Sequence, residues 1–94
     1  MKATINGRRY NTDKCEVLCT TEHHTASGNY SGSTKLLHAS DGTYLVWRDS
    51  NGEDCHMGSF LCRWDRVAWP IDDFDMTDEQ EARCAELGLI MAIN

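Results

Sequence analysis

The residues best equipped for chemistry in this chain are its thiols and imidazoles. Cys15-x3-Cys19-x3-His23-His24 and Cys55-His56-x5-Cys62 together supply four ligands in two pairs, and zinc favours Cys and His donors. Neither pair has the usual C-x2-C knuckle spacing, so the competing reading is buried thiols with surface histidines. A second candidate, Asp73-x-Asp75-x-Thr77, has the opening of a calcium loop. Its sixth position is Asp78 where a Gly is needed for the sharp turn, and its twelfth is Cys84 where a bidentate Glu belongs. That match fails. Cysteine–histidine nucleophilic catalysis needs a thiol activated by its surroundings, and no local signature marks one of the five. A phosphate-cradling glycine loop and a nucleophile elbow are both missing. The sequence therefore points away from an enzyme, implies no catalytic residue and calls for no cofactor.

Charge is more informative. Asp65 to Glu86 (DRVAWPIDDFDMTDEQEARCAE) holds eight acids against two bases, a net of −6, while the rest of the chain carries seven of each. The whole net charge of −6 thus sits in about a quarter of the length. Acids this dense repel one another, which folding tolerates only if they are solvated or meet a cationic partner. The bland outcome is a solvated helix N-terminus. The functional outcome is a docking face made of Asp72, Asp73, Asp75, Asp78 and Glu79, with Trp69 and Phe74 as aromatic anchors among the acids. Spaced carboxylates on a rigid element also imitate the phosphate run of a nucleic acid, and would compete for a groove that normally holds one.

A chain of 94 residues has room for one domain with one modest core. A mean hydropathy of −0.54 with 26% charged residues fits a folded polar-surfaced domain. The start, MKATINGRRY, has no apolar h-region, and the longest mainly apolar run, Leu87 to Ile93, falls far short of the about 20 residues a bilayer span needs. A cytoplasmic location is therefore expected, with no membrane partner. The odd number of cysteines and the missing export signal favour reduced thiols. An overall negative charge argues against direct contact with nucleic acid and favours a basic protein surface.

These groups must be carried by local structure. Lys2 to Asn6 and Arg8 to Tyr10 flank Asn6-Gly7, the strongest short hairpin signal. Asn11 to Lys14 reads as a polar turn. Glu16 to Glu22 is rich in strand-favouring Val and Thr, although Cys15, Cys19 and His23 fall at helical spacing. His23 to Ser33 reads as a mobile loop of about ten residues. Thr34 to Ala39 and Thr43 to Arg48 flank Ser40-Asp41-Gly42 as a second hairpin. There Tyr44 and Val46 oppose Leu45 and Trp47, so both faces are apolar and a strand covered on two sides is expected. Asp49 to Gly52 reads as a turn, and Ser59 to Trp64 and Arg66 to Trp69 as short strands ending at Pro70. Thr77 with Gln80 matches a capping box, and Gly88 suits a helix stop, so the spacing predicts a helix from Asp78 to Leu87. Ala82, Ala85 and Leu89 on one side, with Cys84 and Leu87 towards the other, form a weak apolar stripe. The tail Leu89 to Ile93 extends the helix or adds an edge strand able to pair two chains. The whole predicts a single α+β domain, residues 1–94, in which an antiparallel meander of hairpins carries one C-terminal helix.

Three of these motifs together resemble a recurrent group of small bacterial and phage-borne proteins. The opening Ile5-Asn6-Gly7-Arg8-Arg9-Tyr10-Asn11-Thr12 is similar to their I-N-G-K-x-Y-D-T hairpin. Leu37 to Leu45 resembles their L-x-x-x-x-x-G-x-Y-x-[LF] hairpin, and Thr77 to Ala82 their helix start. The chain departs from that pattern at Asn11, in its extra cysteines and between Gly52 and Pro70. The resemblance implies a mobile-element protein that inhibits host defence, with anti-CRISPR proteins the prominent case. Such a protein binds an effector subunit in the bacterial cytoplasm and blocks access of DNA or recruitment of a nuclease. The alternative expectation is a small zinc-stabilised structural or adaptor domain using Cys15, Cys19, Cys55 and Cys62.

Overall fold

The computed structural model describes residues 1–24, 26–28, 30–50 and 59–91. Four antiparallel strands form a meander in sequence order: β3 (Glu16–His24), β4 (Tyr30–His38), β5 (Tyr44–Ser50) and β6 (Phe60–Arg63). Two earlier strands, β1 (Lys2–Ile5) and β2 (Arg8–Asn11), pair with each other and, among the described residues, with no other strand. One helix, α1 (Asp78–Glu86), follows near the C-terminus. The fold is α+β, as expected, with the first hairpin standing as a sheet of its own rather than joining the meander.

The β1–β2 turn forms because Asn6 and Gly7 both take positive φ (51° and 78°), the combination a two-residue primed turn demands. The β4–β5 turn is longer. Ala39 N–H donates to the Thr43 carbonyl and Gly42 N–H to the Ala39 carbonyl, with Gly42 left-handed at φ 88°. Asp41 fastens the two hairpins together. Its carboxylate accepts from the Arg8 guanidinium, the Tyr10 hydroxyl (2.8 Å each) and the Thr43 backbone N–H (3.0 Å). The Thr43 N–H, Arg8 and Tyr10 together hold the Asp41 carboxyl well below the usual carboxylate range.

Adjacent residues of the central strands face opposite ways, and both faces are covered. Leu36 and Val46 join Leu18, Cys19, Phe74, Cys84 and Leu89 under the C-terminal segment. Leu37, Leu45 and Leu61 join Tyr10 and Ala39 under the N-terminal hairpin, with Ala3, Ile5 and Trp47 against them. The chain is thus a three-layer stack of hairpin, sheet and helix segment. Tyr44 and Val46 do oppose Leu45 and Trp47 in this arrangement.

A bulge in β3 distributes its side chains. Val17 pairs with Leu37 and Cys19 with Leu36, leaving Leu18 as the extra residue. Simple alternation would place Cys15, Val17 and Cys19 on one face. The extra residue instead turns Cys19 towards the helix while Cys15 stays with the hairpin cluster. The helical spacing of Cys15, Cys19 and His23 has no helix behind it.

Several local expectations are corrected. The segment read as a ten-residue loop, His23 to Ser33, is largely strand: β3 runs to His24 and β4 starts at Tyr30. Ladder hydrogen bonds override the turn-prone Ser and Gly composition there, while Thr25 and Asn29 lie outside the described residues. Arg66 to Trp69 is a turn rather than a strand, because the Asp65 side chain accepts from the Val67 N–H (2.9 Å) and Trp69 N–H closes onto the Asp65 carbonyl (2.9 Å). Asp49 and Ser50 belong to β5, and the predicted turn at Asn51-Gly52 lies outside the described residues. Leu89 to Met91 is neither helix nor strand, and the remainder of that tail is outside the described residues.

The helix starts at Asp78 as predicted and ends at Glu86, with Leu87 as its C-cap. Thr77 Oγ1 accepts from Gln80 N–H and the Gln80 side chain accepts from Thr77 N–H, a reciprocal capping box. Its end is a Schellman arrangement: Gly88 (φ 79°) donates to the Ala85 carbonyl and Leu89 to the Cys84 carbonyl. Cys84 is the fully buried position, whereas Ala82 is exposed, so the working face lies on the Cys84–Leu87 side of the stripe. No helix among the described residues is long and apolar enough to cross a membrane.

Candidate docking surface

The acidic stretch is built as a sequence of anchored turns. Trp64 packs on the helix-side core, donates its indole N–H to the Trp69 carbonyl (2.8 Å), and carries the Arg66 guanidinium 4.6 Å above its ring. Trp69 is half-buried against Phe60, with ring centroids 6.2 Å apart. A short 3-10 turn (Ile71–Asp73) then drops Phe74 into the core. Two contacts tie this passage to the outer edge of β3. The Thr21 hydroxyl donates to the Asp73 carbonyl (2.7 Å), and Asp75 forms a bridge with Thr20. The capping box starts α1 directly afterwards.

All eight acids of the stretch are exposed. Two have local employment: Asp65 in its turn, and Glu86, 3.3 Å from Arg83. Arg83 also grips Glu16 of β3 with two hydrogen bonds of 2.9 and 3.0 Å, a bidentate strut between helix and sheet. That contact lowers the Glu16 carboxyl and raises the Arg83 guanidinium from their ordinary values. The other six, Asp72, Asp73, Asp75, Asp78, Glu79 and Glu81, form no ion pair with any described cation. Asp78, Glu79 and Glu81 occupy the first turn of α1, where the helix dipole offsets part of their repulsion.

Of the residues expected to form the docking face, Asp72, Asp73, Asp75, Asp78 and Glu79 are all exposed along one segment. Trp69 presents part of its ring beside them. Phe74 does not belong to the surface: at 7% exposure its ring is core, and the 3-10 turn before it sets that direction. Beside the acids lies a groove of about 470 Å³ between the β3 edge and the helix start, lined by Glu22, His24, Asp75, Met76, Thr77 and Gln80. Sequence reasoning missed the contribution of β3, since tertiary contacts such as Thr21–Asp73 and Thr20–Asp75 bring those distant residues together. It also missed Val67, 88% exposed at the tip of the turn, because that residue was assigned to a strand.

Compared with known proteins, the chain matches no family model, no curated protein and no solved structure.

The thiols are dispersed. Cys15 sits under the hairpin, while Cys19, Cys62 and Cys84 belong to the helix-side core, and all four are free. Cys19 and Cys84 lie in the same buried cluster where α1 meets β3. Burial, reinforced by Cys84, pushes the Cys19 thiol up to about 12, and burial also raises Cys15, Cys62 and Cys84. Among the described residues no three Cys, His, Asp or Glu side chains converge as a metal cluster, and Cys55 and His56 lie outside them. His23 accepts or donates at 2.7 Å to Thr34 and lies 3.0 Å from Arg48. Burial and the Arg48 cation lower its pKa, which favours a neutral imidazole.

Proposed function

We propose that this chain is a non-enzymatic, protein-binding inhibitor that docks its acidic face on a cationic, nucleic-acid-binding surface, with a CRISPR effector subunit as the target class. One observation carries the reading. Six exposed carboxylates with no ion-pair partner among the described residues sit on a segment whose backbone is pinned by Phe74, Trp64, the Thr20–Asp75 bridge and a capping box. Rigid spacing lets acids meet fixed cations without ordering loss on binding. The exposed Val67 and the partly exposed Trp69 supply apolar contact beside the acids, in place of Phe74.

The test compares the wild-type protein with the Asp72→Lys/Asp73→Lys/Asp75→Lys variant. Each is used to capture complexes from a bacterial lysate containing CRISPR effectors, at low and at high salt. The captured effector is then assayed for target-DNA binding with increasing amounts of each protein. Wild type should capture an effector at low salt, release it as salt rises and displace its DNA. The variant should do neither while keeping its fold by circular dichroism. DNA displacement by the variant equal to that of the wild type would remove the acidic face from the mechanism.

A further inference from the structure

The cations of this acidic protein are also gathered, and on the opposite layer. The outer surface of the N-terminal hairpin presents Lys2 and Arg9, which alternate with the inward Ala3, Ile5 and Tyr10. Lys14 closes the 3-10 turn (Thr12–Lys14) that follows. These three residues line a concavity of about 290 Å³ together with Tyr10, Cys15 and Ala39. None of the three forms an ion pair with a described carboxylate. Asp13 lies beside Lys14 in sequence, and Asp41 is close enough to Cys15 to act on its thiol. The Asp41 carboxylate is already taken by Arg8, Tyr10 and Thr43. Arg63 lines a second hollow that shares Tyr10 with this one, while the Arg8 charge beside it is balanced by Asp41.

We infer that this concavity is a binding site for a small phosphate monoester. Its volume lies at the lower end of the range for small-molecule pockets, about 300–1,000 Å³, so it suits a compact ligand. A guanidinium fork and two ammonium groups match the oxygens of a phosphoryl dianion, Arg by paired hydrogen bonds and Lys as a point charge. The partly apolar lining favours an ester with a short organic group over the bare ion. The acidic face does not cancel this attraction. Layers stack about 10 Å apart, so the two outer surfaces are roughly 20 Å from one another, more than two screening lengths of about 8 Å at physiological ionic strength. The site is independent of the acidic docking face and stands whether or not that reading holds.

The experiment is a titration of the isotopically labelled full chain with glycerol 3-phosphate, followed through its backbone amide signals at constant ionic strength set with chloride. Saturable shifts should be confined to Lys2, Arg9 to Asn11, Lys14, Cys15, Ala39 and Ser40. The Lys2→Gln/Arg9→Gln/Lys14→Gln variant should bind at least tenfold more weakly. Its signal dispersion should match that of the wild type, since all three side chains are exposed. Lys35→Gln, a control whose ammonium lies over Trp47 on the same face of the sheet, should stay within twofold. Shifts that never saturate, or that spread evenly over all lysines and arginines, would overturn the proposal. So would unchanged affinity in the folded triple variant, or binding of a short single-stranded oligonucleotide without any response to glycerol 3-phosphate.

Discussion

Leu36 and Leu37 are neighbours in β4, both fully buried, and they report on opposite halves of the molecule. Replacing either by Ala removes buried methyl groups and leaves a cavity, a loss of about 2–5 kcal/mol. A domain of this length has a total stability of about 5–14 kcal/mol, at the usual 0.05–0.15 kcal/mol per residue. Each single variant should therefore remain folded at 25 °C with a lowered urea midpoint and an unchanged slope. The double variant, losing about 4–10 kcal/mol if the two effects add, should lose most of its stability and unfold at a far lower urea concentration than either single variant. The decisive assay is amide hydrogen exchange on the single variants, because it locates the weakened region. Leu37→Ala should speed exchange in the β1–β2 hairpin, which rests on the Leu37, Leu45 and Leu61 cluster. Leu36→Ala should speed it in α1, which rests on the other face through Cys84 and Leu89. Loosening of the helix by Leu37→Ala, with the hairpin still protected, would refute the three-layer arrangement.

Three further outcomes follow from particular contacts. Thr77→Ala removes one half of the capping box and should lower stability by about 1 kcal/mol in urea unfolding, with little change in a Ser replacement. In native protein, alkylation of Cys19 and Cys84 should be far slower than that of the partly exposed Cys15 and Cys62, and unfolding in urea should equalise the rates, as peptide mass spectrometry after timed labelling would show. The pH dependence has a definite sign. The His23 pKa is lowered in the fold, so the unfolded chain takes up the proton first, and stability should begin to fall as pH drops below the ordinary imidazole value of 6.5. Glu16 and Asp41 are also lowered, so their contributions are present above ordinary carboxylate values of 4.5 and 3.8 and are lost as pH falls towards the lowered ones. Urea midpoints measured from pH 8 to pH 3 should decline in two stages, His23→Gln removing the first and Asp41→Asn weakening the second.

What the sequence disclosed were the positions where backbone geometry depends on particular residues. Asn6-Gly7, Asp41-Gly42, Thr77 with Gln80, and Gly88 each mark a conformation that few other residues satisfy, and all four mark the element they foretell. The features it concealed arise from tertiary pairing. Nothing in the local composition distinguishes Leu18 as a bulge, since the extra residue is defined only by its partner strand. Gly32 and Ser33 have loop-prone propensities, yet the ladders with β3 and β5 hold them extended. Val67 to Trp69 has strand-like residues, and a single hydrogen-bonding carboxylate, Asp65, turns the chain instead. At the candidate docking face the acids were legible from charge alone. The inward turn of Phe74 was not, because aromatic residues serve equally well as interface anchors and as core.

The N-terminal hairpin also sets an order of events during synthesis. Ala3, Ile5 and Tyr10 are made before the surface they cover, whose last residue, Leu61, comes some fifty positions later. At about 5–20 residues per second, that separation leaves the hairpin's apolar side uncovered for several seconds on the ribosome. A two-stranded ribbon alone is at best marginally stable, so those residues wait as unstructured chain until the meander exists to receive them. Docking of the first-made segment is thus a late step in assembly. Substitutions that weaken the Asp41 junction would lengthen the interval in which this segment is open to chaperones and proteases.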